Sequence, residues 1–167
     1  MTTPDAAGNG RVGEPEDGRR IGPETPVESY PGGRLGRFRV VELVHRGEMG
    51  TVVRALDEEL GREVALKILP SHLGADPQFQ ERFVQEAQAV AQLDHPAICR
   101  VHSVGNQDGL LYVAMQFVHG TTLADVVRSY RQFSPHGALQ VVRTVAEALG
   151  VVHRAGLVHR DVTSSNI

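Results

Sequence analysis

Hydrophobic and polar residues change their pattern twice along the chain. From Met1 to about Gly36, Pro4, Pro15, Pro23, Pro26 and Pro31 stand among Gly, Glu, Asp and Arg, with few large apolar residues. Such a stretch buries too little surface to offset its backbone entropy, so a disordered tail is expected over 1–36. Short β-branched runs begin at Phe38. Phe38–Val44, Thr51–Leu56 and Val64–Leu69 read as strands, the third entered through the turn-like Asp57-Glu58-Glu59-Leu60-Gly61. A helical pattern follows, with Asp76 as N-cap, Pro77 at the first helical position, and Phe79, Phe83, Ala87, Val90 and Ala91 on one face. It ends before His95-Pro96. Two more strands, Ile98–Val104 and Leu110–Phe117, flank Asn106-Gln107-Asp108-Gly109, whose Asp-Gly suits a hairpin. Ser134 and Pro135 then open a long helix with an apolar stripe of Leu139, Val142, Val145, Leu149 and Val152, closed by Gly156. Strands, a helix, strands, then helix is an α+β order, not an alternating one.

Composition narrows this reading a little. With 41% hydrophobic and 22% charged residues, the chain has the balance of a globular domain. A net charge of −3 gives no reason to expect nucleic acid or an anionic membrane as partner. One cysteine, Cys99, cannot form an internal disulfide. The start lacks a signal-peptide pattern and no apolar run is long enough for a bilayer, so a cytoplasmic chain is expected, leaving open an anchor beyond Ile167. The eight histidines show no H-x-x-x-H spacing beside a third ligand, and scattered surface or core positions explain them better than a metal centre. Thr25 and Ser29 are conceivable docking or phosphorylation points, against the simpler reading of a solvated leader.

The candidate chemistry lies in four places. His45-Arg46-Gly47-Glu48-Met49-Gly50-Thr51-Val52 joins the first two strands, and glycines at Gly47 and Gly50 would let the backbone approach a phosphate without a Cβ in the way. Lys67 ends Val64-Ala65-Leu66-Lys67, where an ammonium in an apolar run implies a carboxylate partner; Glu86 on the following helix is the candidate. Met115-Gln116-Phe117-Val118-His119-Gly120 follows the fifth strand. His159-Arg160-Asp161-Val162-Thr163-Ser164-Ser165-Asn166 follows the long helix.

In this order the four segments resemble the glycine-rich loop, the V-A-I-K strand, the hinge and the H-R-D-x-x-x-x-N catalytic loop of protein kinases. Phe38 to Ile167 is similar to a bacterial serine/threonine protein kinase of the eukaryotic-like type. The resemblance implies a bilobal fold: a five-stranded antiparallel N-lobe sheet with its helix C and a hinge over 37–119, then the first helices of a C-lobe over 120–167. It implies ATP and Mg²⁺ as cofactors and a protein with a Ser/Thr acceptor as substrate. Asp161 would be the catalytic base, Lys67 would hold the α/β-phosphates paired to Glu86, and Asn166 would hold Mg²⁺. Gly47 and Gly50 would cover the phosphates, and Val52 and Ala65 the adenine. Met115 would be the gatekeeper, and the Gln116 carbonyl and Val118 amide would face the adenine edge. Arg160 would contact an activation loop, and His159 would join Val90 and Val101 in an apolar spine between the lobes.

Three features depart from that family. His45 stands where the first glycine usually stands, and Thr163 replaces the lysine two residues after the Asp, offering a hydroxyl dipole in place of a charge. The 167 residues contain no D-F-G or A-P-E. Taken alone they are expected to be inactive and poorly stable, with the long helix's stripe uncovered. Two alternatives stand beside the kinase reading: a pseudokinase-like module that binds nucleotide or a partner, and a fragment that docks on a missing, separately encoded C-lobe.

Overall fold

Alternation of small and β-branched residues builds a long hairpin first. The computed structural model describes residues 18–26, 29–48, 50–130 and 134–167. Strands β2 (Phe38–Gly47) and β3 (Gly50–Asp57) pair antiparallel, with register shifts between Val40 and Glu42 and between Leu43 and His45. These irregularities tilt the far half of β2 outward, where Leu43 and Val44 are exposed. Strand β4 (Arg62–Ile68) pairs with β3, and β6 (Leu110–Gln116) pairs with β4 and with β5 (Val101–Gln107). Helix α1 (Pro77–Ala91) lies between β4 and β5 in sequence and packs on β5; α2 (Leu123–Tyr130) and α3 (Pro135–Arg154) follow the sheet.

The period of two separates the faces. Val53 and Ala55 on β3, Val64, Leu66 and Ile68 on β4, and Ala114 on β6 are buried together with Val40 and Phe38. Each such apolar side chain taken out of water contributes about 1.5–3 kcal/mol. Their neighbours Val52, Ala65, Lys67 and Met115 form the opposite, half-buried face. The register confirms it: Val52 lies opposite Lys67, and Ala65 opposite Met115. A buried charge closes the turn end of the core, where Asp57 is 1% exposed and Arg37 Nη2 lies 3.3 Å from its Oδ2. Asp57 Oδ1 also accepts the Leu60 N–H at 3.3 Å, tightening the β3–β4 turn.

Both long helices start where the capping residues predict. Asp76 accepts the Gln78 N–H at 2.9 Å with Pro77 at the first position, and Ser134 Oγ accepts the Gly137 N–H at 3.1 Å ahead of Pro135. Gly156, at φ 76°, ends α3. Among the described residues no helix is long and apolar enough to cross a membrane.

Several sequence expectations need correction. The sheet has six strands in the order β1-β2-β3-β4-β6-β5, not five, because Arg34–Leu35 (β1) turns back on Phe38–Arg39 through Gly36 at φ 57°. Part of the tail expected over 1–36 is packed: Ile21 and Leu35 are 0% exposed and Tyr30 is 5% exposed. Three well-spaced apolar residues are enough to dock a Pro/Gly-rich segment once a sheet offers a core to receive them. The remainder of that expectation, residues 1–17 and 27–28, lies outside the described residues. Strand β5 begins at Val101, not at Ile98, because His95 holds the preceding turn: its Nδ1 accepts the Ala97 N–H and its carbonyl the Ile98 N–H. The α3 stripe is covered only in its second half: Val152 is buried beside Ala148, and Val145 and Leu149 are half-buried, whereas Leu139 is 69% and Val142 is 64% exposed.

Candidate active site

The β2–β3 hairpin ends in the glycines, and the two have different reasons to be there. Gly50 sits at φ 116°, and a Cβ on it would collide with the backbone carbonyl of Ile68. Gly47 has no such φ; a Cβ there would meet only the His45 ring, 3.1 Å from Nε2. His45 therefore lies over Gly47, filling space that a glycine at its own position would leave open.

Lys67 projects from the half-buried face between Val52 and Val113, two residues along the strand from Ala65. The expected pairing with Glu86 is not formed. Glu86 is exposed on α1, and among the described residues neither the Lys67 nor the Glu86 side chain makes a hydrogen bond or ion pair. A half-buried ammonium keeps enough hydration to stand without a carboxylate, which is why the apolar run did not force the pair.

The strand-to-hinge segment is braced from one side. Gln116 donates its N–H to the Arg100 carbonyl at 2.8 Å. Among the described residues the Val118 N–H has no protein acceptor. A polar cluster not foreseen from sequence borders this segment. Arg54 donates to Glu42 at 2.7 Å and to Glu63 at 2.5 Å, and His119 Nε2 lies 2.9 Å from Glu63 Oε2. Phe117 sits beneath the Arg54 guanidinium and edge-on to the His119 ring. Nothing in the spacing of these residues announces the cluster, since the partners come from three strands and the hinge.

After α3 the chain turns at Gly156 and reaches Arg160, which adopts φ 63°, an uncommon conformation for a non-glycine residue. That turn lets the Asp161 N–H reach His159 Nδ1 at 3.3 Å. Asn166 Nδ2 donates to Asp161 Oδ2 at 3.0 Å and to the Asp161 carbonyl at 2.9 Å. The loop is therefore closed on itself by Asp161 and Asn166. Its end is tied to the next element by the Leu123 N–H, which donates to the Ile167 carbonyl at 2.7 Å.

A cavity of about 550 Å³ brings Gln116 and Val118 of the hinge together with His159 and Asn166 of the catalytic loop, between Pro96–Cys99 and α3. His159 is exposed in its wall, while Val90 and Val101 are half-buried, so the expected spine is not a packed column here. Val52, Ala65, Lys67 and Met115 are grouped on the sheet face and do not line that cavity.

The donor set for Mg²⁺ is of the right kind but small. The Asn166 amide nitrogen is committed to Asp161, while among the described residues its side-chain oxygen has no protein partner, and a hard oxygen donor suits this ion. Among the described residues no three acidic, His or Cys side chains gather to hold a metal. Mg²⁺ is commonly held by one or two protein oxygens plus substrate phosphates, so Asn166 fits as a partial ligand.

Comparison with known proteins places the chain in a family. The protein kinase domain family matches residues 38–167. Serine/threonine-protein kinase PknA of Mycobacterium tuberculosis is 42% identical over 137 residues, covering 79% of this chain and 32% of that protein. Serine/threonine-protein kinase PknE of Mycobacterium bovis is 39% identical over 141 residues, covering 84% of this chain and 25% of that protein. The crystal structure of the Mycobacterium tuberculosis PknI kinase domain superposes with a TM-score of 0.68 at 34% identity, covering 79% of this chain and 54% of the other. The chain thus spans a third or less of these curated relatives and about half of the solved kinase domain. With the match over 38–167 and these relatives, the chain belongs to the protein kinase domain family, among bacterial serine/threonine-protein kinases.

Proposed function

We propose that the chain is the nucleotide-binding half and catalytic loop of a protein kinase that moves the γ-phosphoryl of ATP to a Ser or Thr hydroxyl of a protein. The observation that carries this reading is the Asn166–Asp161 hydrogen bond. It fixes the carboxylate with Oδ2 occupied, leaving Oδ1 to accept the proton of an incoming hydroxyl. Lys67, with its ammonium uncommitted, meets the α/β-phosphates, and the hinge carbonyl and amide take the adenine edge. Gly47 and Gly50 bring backbone N–H groups toward the phosphates. Mg²⁺, when bound through Asn166 and the phosphates, neutralises charge on the transferring group. Thr163 supplies a dipole where a lysine would supply a charge, so transfer is slower than with Lys.

Phosphotransfer also needs a second metal-holding carboxylate of the D-F-G kind, which residues 1–167 do not contain. By this reading, the isolated segment binds nucleotide without turning it over, and the polypeptide that carries the segment phosphorylates Ser/Thr. The test is transfer of labelled γ-phosphate to a Ser/Thr-rich acceptor protein by that polypeptide and by its Asp161→Asn variant. Loss of transfer in the variant supports the reading; equal transfer by both sinks it. The open Lys67 and Glu86 favour a second reading, a non-catalytic nucleotide- or partner-binding module. Nucleotide binding with no turnover in either protein would select it.

A further inference from the structure

Ile21, Tyr30 and Leu35 precede the region matched by the kinase family, yet all three are buried in the sheet core. Their backbone is pinned at both ends. Ile21 N–H donates to the Arg34 carbonyl at 2.7 Å, Arg34 N–H to the Arg19 carbonyl at 2.7 Å, and Gly32 N–H to the Val40 carbonyl at 2.9 Å. Between these bonds the segment closes on itself so tightly that a Cβ on Gly33 would lie 2.9 Å from Ile21 Cγ1.

The segment touches two neighbouring turns. Pro23 covers the β5–β6 turn, where a Cβ on Gly109 would lie 3.1 Å from Pro23 Cγ. Pro23, Thr25 and Tyr30 also share a cavity of about 260 Å³ with Arg46, Gly47 and Gly50, at the turn end of the glycine hairpin. Tyr30 is the pivot. Its ring is buried in the sheet core and lines the same cavity as Arg46; burial pushes its phenol upward, and the Arg46 guanidinium pulls it the other way. Thr25 Oγ1 accepts the Gly22 N–H at 2.9 Å and holds the turn that presents Pro23.

We propose that the described stretches Arg19–Pro26 and Ser29–Leu35 act as a strap that braces the glycine hairpin from the face opposite the nucleotide, so that their docking sets hairpin rigidity and thereby nucleotide affinity. The hairpin needs such a brace because the outer half of β2 is exposed and its pairing with β3 is interrupted by two register shifts. Any event that lifts the strap would loosen the loop over the phosphates without touching a nucleotide contact. The affinity arm rests on the ATP reading above; the rigidity arm does not.

The test is amide hydrogen exchange on the whole chain, beside titration with a fluorescent ATP analogue and Mg²⁺. Gly33→Val drives a side chain into Ile21 and releases the strap. Pro23→Gly removes the contact with the β5–β6 turn while leaving Ile21, Tyr30 and Leu35 in place. Both should raise exchange across Gly47–Thr51, by about tenfold in Gly33→Val and less in Pro23→Gly, with β4 and β6 still protected. Analogue Kd should rise by about three- to tenfold. If Gly33→Val also opens β4 and β6, Pro23→Gly decides. Unchanged hairpin exchange after strap release would overturn the proposal, as would strap amides already unprotected in the wild type. Failure of the wild type to bind the analogue, with the exchange coupling intact, would contradict the ATP reading and leave the strap standing.

Discussion

Asn166 Nδ2 lies 3.0 Å from Asp161 Oδ2 and 2.9 Å from the Asp161 carbonyl oxygen, so one amide holds both ends of the residue proposed as catalytic base. Removing that amide should matter for orientation before it matters for folding. Asn166→Ala is expected to weaken Mg²⁺-dependent nucleotide binding by up to about tenfold, the scale of one hydrogen bond or ligand contact. Its melting temperature should stay within a few degrees of wild type, because Asn166 is exposed. Asp161→Asn should leave nucleotide affinity nearly unchanged. Isothermal titration of both variants with and without Mg²⁺ checks the split.

The separation of Lys67 from Glu86 predicts a silent mutation. Glu86→Gln should change the stability of the nucleotide-free chain by no more than about 0.5 kcal/mol, as for other exposed positions. Lys67→Met should likewise fold, yet lose most of its ATP affinity. Urea denaturation gives the first number and nucleotide titration the second. A large destabilisation by Glu86→Gln would show that the pair is formed in solution.

The two glycines should behave differently. Gly50→Ala must place a Cβ against the Ile68 carbonyl at a φ disfavoured for L-residues, and should cost about 1–3 kcal/mol. Gly47→Ala meets only the exposed His45 ring and should be near neutral for stability. Thermal denaturation without nucleotide separates a structural glycine from one kept for a ligand.

His102 makes stability fall on mild acidification. Burial holds its imidazole below the ordinary value, helped by the Arg62 and Arg100 charges and opposed by Asp57. The unfolded chain therefore takes up a proton near pH 6.5 while the folded chain does not. Stability from this group is intact above about pH 6.5 and is lost progressively as pH falls toward the lower folded value. His102→Gln should flatten that part of the pH–stability curve. Denaturant midpoints at several values between about pH 7.5 and 5.5 measure it.

Local chemistry explains which parts of the fold were legible in the sequence. Asp76-Pro77 and Ser134-Pro135 carry cap and first-turn information within a few residues, and both helices begin there. Helix α2 had a signal that was not used: Thr122 Oγ1 accepts the Asp125 N–H at 3.1 Å and donates to its carboxylate at 2.7 Å. The strap was illegible because Ile21, Tyr30 and Leu35 are diluted by Pro and Gly, and their burial depends on a sheet assembled from residues far along the chain. The family was legible through the order of the four motif segments, which fall within the 38–167 match. What sequence could not supply was state. Whether Lys67 meets Glu86, or His159 packs between the lobes, depends on how α1 and the catalytic loop sit, and no local pattern fixes that.

The most direct test of the account is an equilibrium titration of the 1–167 chain with a fluorescent ATP analogue. The account predicts saturable, Mg²⁺-dependent binding that unlabelled ATP displaces and that Lys67→Met abolishes. Absence of saturable binding, or equal binding by Lys67→Met, would contradict the assignment of this sheet face and hinge as a nucleotide site.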